Sequence, residues 1–173
     1  MPAILPGEIR QNGYVVRDLD AAMEAWSAVG VGPWFTIHEL PQRLRFRGVA
    51  SEPVISIAFS NSGPLQIELI QQHNDAPSAY REFLDAGREG FHHLAWWAED
   101  FSSAMAQARA HGWAILQESD GGATPFAYFE LGGVTSTALE LTELNDATTG
   151  MNQLVAEAAA SWDGVTDPVR RLM

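Results

Sequence analysis

Two side chains able to bind a metal ion stand at matching places in this chain, and two carboxylates echo each other further along. Gln11 opens the stretch Gln11-Asn-Gly-Tyr-Val-Val-Arg-Asp-Leu19, and His93 opens His93-Leu-Ala-Trp-Trp-Ala-Glu-Asp-Phe101, 82 residues later. Each stretch runs through strand-forming residues to an Asp that can cap a helix. Ile67-Glu68-Leu69 and Leu139-Glu140-Leu141 form the second echo, 72 residues apart. A carboxylate set in an apolar strand is costly to bury without compensation. Two such groups close together repel, so that one takes up a proton. A divalent cation removes both conflicts: Glu68 and Glu140 neutralise it, while the His93 nitrogen and the Gln11 oxygen complete a mixed N/O set. Four protein ligands leave room for one or two waters in octahedral geometry, which suits Zn, Ni, Co, Mn or Mg. The chain has no cysteine, so a thiolate-bound structural zinc and a disulfide are both excluded.

For these groups to meet, the strands that carry them must present them on one side. Side chains alternate along a strand, so Gln11, Gly13 and Val15 share a face, with Tyr14 and Val16 on the other. By the same rule Glu68 sides with Gln66 and Ile70, Glu140 with Ala138 and Thr142, and His93 with Ala95 and Trp97. The opposite faces hold Ile67, Leu69, Leu94, Trp96, Leu139 and Leu141, which suit cover by helices. His92 is therefore expected to point away from His93 and to be structural.

Each half reads as strand, helix, then three strands. In the first, a strand over 9–16 precedes a helix over 21–29, capped by Asp18 or Asp20 and stopped by Gly30-Val-Gly-Pro33. Short strands at 34–38 and 43–47 follow, then a hairpin of 53–59 with 65–71 around Asn61-Ser-Gly63. Residues 74–89 read as a linker helix. The second half has strands at 91–98, 113–118, 127–131 and 137–143, and an Asp100-capped helix over 102–111. The expected organisation is one domain over 1–173, with a first module at about 8–72, a linker at 73–89, a second module at about 90–144 and a tail at 145–173. That tail, with an Ala-rich helix near 151–160, has no counterpart in the first half and reads as a decoration on the outside or at a dimer contact.

A net charge of −12 and a pI near 4.6 argue against nucleic acid and anionic membrane surfaces as partners. No apolar run reaches membrane-spanning length, and the first residues lack the pattern of a signal peptide, so a cytoplasmic protein is expected. Trp34, Trp97, Phe126 and Tyr128 could wall an apolar pocket. Arg43, Arg45 and Arg47 suit a solvated strand edge, with an acidic substrate as the alternative. His38, His73 and His111 have no partner pattern and read as surface residues.

The residues resemble the vicinal oxygen chelate superfamily, which includes glyoxalase I, methylmalonyl-CoA epimerase, extradiol dioxygenases and antibiotic-resistance binding proteins. The resemblance rests on Gln11 to Leu19, Gly32-Pro33-Trp34, Leu65 to Ile70, Gly90-Phe-His-His-Leu94 and Leu139 to Leu141. It implies an α+β fold of two βαβββ modules, whose curved mixed sheets form a metal-containing cleft, plus the C-terminal helical tail. It implies the metal ligands Gln11, Glu68, His93 and Glu140. Gln11 departs from the His usual in epimerase-like members, and the Gln–Glu–His–Glu set resembles that of animal glyoxalase I.

The activity implied is that of a divalent-metal-dependent isomerase, epimerase or lyase acting on a small carbonyl substrate, with Glu140 as the base and Glu68 as second candidate. The alternatives are a non-catalytic binder of an aromatic or lipophilic small molecule and, ranked below it, an extradiol-type dioxygenase. A homodimer is expected.

Overall fold

The computed structural model describes residue 5 and residues 7–130 and 138–172. In chain order the elements are β1 (Gln11–Val15), α1 (Leu19–Ala28), β2 (Trp34–Pro41), β3 (Leu44–Phe46), β4 (Val49–Ser51), β5 (Val54–Ser62), β6 (Leu65–Gln72), α2 (Ala79–Asp85), β7 (Gly90–Ala98), α3 (Phe101–Ala110), β8 (Ala114–Ser119), β9 (Phe126–Glu130), β10 (Ala138–Glu143), α4 (Asp146–Ser161) and β11 (Val169–Arg171). Leu131 and Thr137, expected at strand ends, lie outside the described residues.

Local chemistry sets the helix starts. The Asp18 carboxylate accepts from the Ala21 amide at 2.9 Å and Asp100 accepts from the Ser103 amide at 2.9 Å, so the two equivalent helices begin on the same device. Ser78 caps α2 in the same way, and Asn145 with Thr148 forms a reciprocal capping box on α4.

The eleven strands among the described residues form one mixed sheet in the order β11-β2-β5-β6-β1-β7-β10-β9-β8-β3-β4. Two four-strand sets, β2-β5-β6-β1 and β7-β10-β9-β8, meet at the antiparallel β1–β7 pair. The sheet is rolled, as chain length alone requires. Pro41 of β2 and Leu44 of β3 are three residues apart and so within ~11 Å. An open sheet would separate those strands by ~40 Å, at ~4.8 Å per spacing. The pairing of the 43–47 segment, open in the sequence, is thereby resolved: β3 joins β4 and crosses to the β8 edge.

The rolled sheet has two chemically distinct sides. On the outer side Tyr14, Ile67 and Leu69 pack with Met23 and Trp26 of α1, and Trp96 and Leu141 pack with Ala104, Met105 and Ala108 of α3. The inner side carries Val15, Phe59, Ile70, Phe126, Tyr128 and Ala138. The alternation read from the sequence therefore assigns the helix-covered faces correctly. The tail departs from its reading. Val155 of α4 packs in the inner cluster and Thr148, Met151 and Asn152 reach the cleft, so α4 roofs the inner face instead of decorating the outside. β11 extends the sheet beside β2.

Candidate metal centre

The β1–β7 pair fixes the geometry of the site. Gln11 lies across from Ala95 and Gly13 across from His93, the exchange of partners expected of two copies related by a twofold rotation. The parallel neighbours repeat it: Gly13 pairs with Glu68 in β6, and Ala95 pairs with Glu140 in β10. In both copies the carboxylate therefore sits beside the residue two positions beyond the ligand-capable one. This register turns a duplicated pattern in the sequence into four side chains on one inner surface.

Three of them converge. His93 Nε2 is 3.2 Å from Glu68 Oε2 and 2.9 Å from Glu140 Oε2, and one ligand atom from each of the three lies within 4.8 Å of the others. His93 is wholly buried, and Glu68 and Glu140 are 8% and 7% exposed. All three facing atoms lack a hydrogen-bond partner of acceptable geometry. Buried polar atoms are normally satisfied; three orphans aimed at one point are what a cation needs. The donor set, two carboxylate oxygens and one imidazole nitrogen, fits a divalent ion. Burial works against charge on His93, but Glu140 and Glu68 outweigh it and hold the ring up at about 9. Burial pushes the Glu68 carboxyl up. A proton on His93 is thus what offsets the paired carboxylates when no cation does.

Gln11 lies on the same cavity wall, with its amide direction set by a chain of donors. Asn152 Oδ1 accepts from Gln66 Nε2 at 3.0 Å, and Gln66 Oε1 accepts from Gln11 Nε2 at 2.6 Å. With its nitrogen engaged, Gln11 has its carbonyl oxygen to offer a cation.

His92 corrects the sequence reading. The β1–β7 register skips it, since Gly13 pairs with His93 and Tyr14 with Phe91. An extra residue in a strand breaks alternation. His92 is accordingly buried beside His93, not turned away, with 3.1 Å between the two Nδ1 atoms. Burial, then the neighbouring His93, depresses it to about 3, so it is neutral, and a backbone hydrogen bond with Ala79 supports it. A neutral His92 that accepts from His93 Nδ1–H leaves the His93 Nε2 lone pair aimed at the carboxylates, the usual way a metal-binding imidazole is oriented.

The surrounding cavity measures about 210 Å³. Its walls include Ile57, Phe59 and Ile70 on one side and Trp97, Phe126 and Tyr128 on the other, with Met151 from α4 above. The Tyr128 ring lies 4.9 Å from that of His93, and its hydroxyl is 3.1 Å from that of Tyr80. Trp34 is not part of this wall: it is fully buried in the α1 cluster and donates to Ser27 Oγ at 3.2 Å. Arg45, in β3 between β8 and β4, and Arg47, just past that strand, are exposed and paired with Asp120 and with Glu82 and Glu130. His38, His73 and His111 are exposed. Sequence reasoning missed Thr142, whose hydroxyl donates to Glu140 Oε1 at 2.8 Å, and Gln66. Both were marked only by sharing a strand face with a glutamate.

Comparisons with known proteins agree with this architecture. Residues 10–129 match the Glyoxalase/Bleomycin resistance protein/Dioxygenase superfamily. No curated protein matches the sequence. Among solved structures, a hypothetical protein from Bacillus halodurans is 16% identical with a TM-score of 0.60, covering 80% of this chain and 95% of that one. Streptomyces coelicolor methylmalonyl-CoA epimerase, in complex with 2-nitronate-propionyl-CoA, is 20% identical with a TM-score of 0.58 and covers 80% and 95%. The Mycobacterium tuberculosis methylmalonyl-CoA epimerase is 19% identical with a TM-score of 0.56, covering 87% and 97%. At these identities the likeness is one of fold. With more than two thirds of its length inside the match, the chain belongs to the glyoxalase/bleomycin resistance protein/dioxygenase superfamily, the vicinal oxygen chelate proteins.

Proposed function

We propose that this protein is a divalent-metal-dependent isomerase, epimerase or lyase that removes a proton from the carbon next to a substrate carbonyl. The observation that carries this reading is the convergence of the buried Glu68 Oε2, His93 Nε2 and Glu140 Oε2, one ligand atom from each residue lying within 4.8 Å of the others. Glu68, His93, Glu140 and the Gln11 oxygen would hold the ion, with Zn, Ni, Co, Mn and Mg all compatible with that donor set. When bound, such an ion supplies Lewis-acid polarisation of the substrate carbonyl.

Glu140 is the proposed base. Its Oε1 is bonded to the Thr142 hydroxyl, a group that can donate to a carboxylate and accept from a carboxylic acid. Glu140 therefore has a partner before and after it takes a proton. Glu68, for which no such hydroxyl bond is seen among the described residues, is the second candidate. The aromatic and aliphatic walls keep water from competing for the carbanion, and the buried Tyr80 and Tyr128 hydroxyls, both pushed up by burial, stay protonated.

Elemental analysis of the purified protein is the first test, with ~1 divalent ion per chain expected, as for a single-ion site. Solvent deuterium appearing at the alpha carbon of a bound carbonyl compound, and its loss in Glu140→Gln, then tests the proton transfer. A metal-free protein indifferent to chelators would instead favour the second reading, a non-catalytic binder, which the apolar walls also suit. A ferrous dioxygenase ranks below both, since that chemistry calls for two His and one carboxylate and the described cluster has one His.

A further inference from the structure

We propose that the cavity selects an uncharged ligand: a small carbonyl compound with an aromatic or branched apolar body. The same skeleton bearing a carboxylate is rejected. This rests on the reading that Glu68, His93 and Glu140 hold a divalent ion.

Charge in the cavity points this way. The two glutamates balance a divalent ion, with His93 neutral as a ligand must be, so the centre has no net positive charge left for an anion. Neither does the wall supply any. The chain has no lysine, and none of its arginines lines the cavity. Arg10 stacks over Trp97 at 4.8 Å but lines a separate surface groove and pairs with Glu8. The remaining charged group on the wall, Glu143, is negative. A carboxylate entering here would be desolvated beside three carboxylates with only the ion to offset them, an uncompensated cost.

Size and surface add the rest of the description. The volume of about 210 Å³ is below the ~300–1,000 Å³ of drug-sized sites, so a nucleotide-like handle would lie outside it. Phe59, Phe126, Tyr128 and Trp97 offer ring faces, and Ile57, Ile70 and Met151 fill between them. Uncharged amides and hydroxyls, Gln42, Thr124, Thr148 and Asn152 among them, also line it. That mixture solvates a dipole and not a charge.

Phenylglyoxylamide and phenylglyoxylate form a matched pair, equal in size and differing in charge. Calorimetric titration of each into metal-loaded and chelator-stripped protein tests the proposal. In water the carboxylate is the better ligand for a divalent ion, so ordinary chelation predicts the opposite order. The expected result is that the loaded protein binds the amide at least ~10-fold more tightly, a difference of about 1.4 kcal/mol. Equal or tighter binding of the carboxylate overturns the proposal, and so does failure of the loaded protein to bind either. Met151→Arg, which adds a cation to the roof, should shift the ratio towards the carboxylate; an unchanged ratio places the ligand outside this cavity and overturns it as well. Identical binding with and without metal would refute the metal reading separately, leaving the charge preference to stand or fall on the ratio.

Discussion

Gly13 makes room for His93. The two residues face each other across the β1–β7 ladder, and a Cβ built on Gly13 would lie inside the imidazole ring. Every other residue type at position 13 would therefore displace the ligand. Gly13→Ala should weaken metal binding at least ~10-fold, the scale on which disturbed ligand orientation acts. Overpacking should lower stability by ~1–3 kcal/mol. Metal titration followed by calorimetry, with circular dichroism to confirm the fold, checks both. Full affinity in the variant would show that His93 is not a ligand.

His92 should matter nearly as much, although it faces no substrate. Replacing it with Phe keeps the aromatic volume against Phe83, Tyr80 and Tyr128 and removes the acceptor for His93 Nδ1. Metal affinity should fall ~10–100-fold while the far-UV spectrum is retained. In the chelator-stripped protein above about pH 9, where the His93 ring is neutral, its nitrogen chemical shifts should change from a single tautomer to a mixture. A mere packing role for His92 would leave those shifts unmoved.

The halves of this site were unequally legible. Strand alternation correctly placed Glu68, Glu140 and Trp97 on the inner surface because period-two patterning survives in regular ladders. It failed at His92, where a bulge inserts one residue and the pattern gives no warning. The helix starts at Asp18 and Asp100 were readable because capping is local. The position of α4 was not. What seats Val155 and Asn152 over the cleft is contact with Gln66 and the inner cluster, and such long-range packing leaves no local signature. The destination of β3 was hidden for the same reason, since its partner β8 lies about 70 residues further on.

Asn152 is the testable part of that missed contact. Its side chain holds Gln66, which in turn sets the direction of the Gln11 amide. Asn152→Ala should cost ~1 kcal/mol or somewhat more in stability, as a part-buried hydrogen bond is lost. It should also weaken metal binding less than Gly13→Ala does, because Gln11 would be freed to turn but not displaced. Thermal unfolding and metal titration on the same samples check the ranking; an effect larger than that of Gly13→Ala would contradict it.

Function and stability should pull in opposite directions at Glu68. Without a cation, Glu68 and Glu140 share one buried proton-bearing partner, His93, and one carboxylate is in excess. Glu68→Gln keeps the volume and removes that excess charge, so the chelator-stripped variant should melt higher than the stripped parent, by roughly 2–4 °C for each kcal/mol gained in a chain of this size. Adding metal should reverse the order. The parent gains about 2.7 kcal/mol when the ion is at 100 times its dissociation constant, and the variant, short of one anionic ligand, gains less. Crossed melting curves in a scan with and without chelator are the signature expected of a metal site. If Glu68 is instead a structural carboxylate, satisfied by its present neighbours, its replacement destabilises the stripped and loaded protein alike.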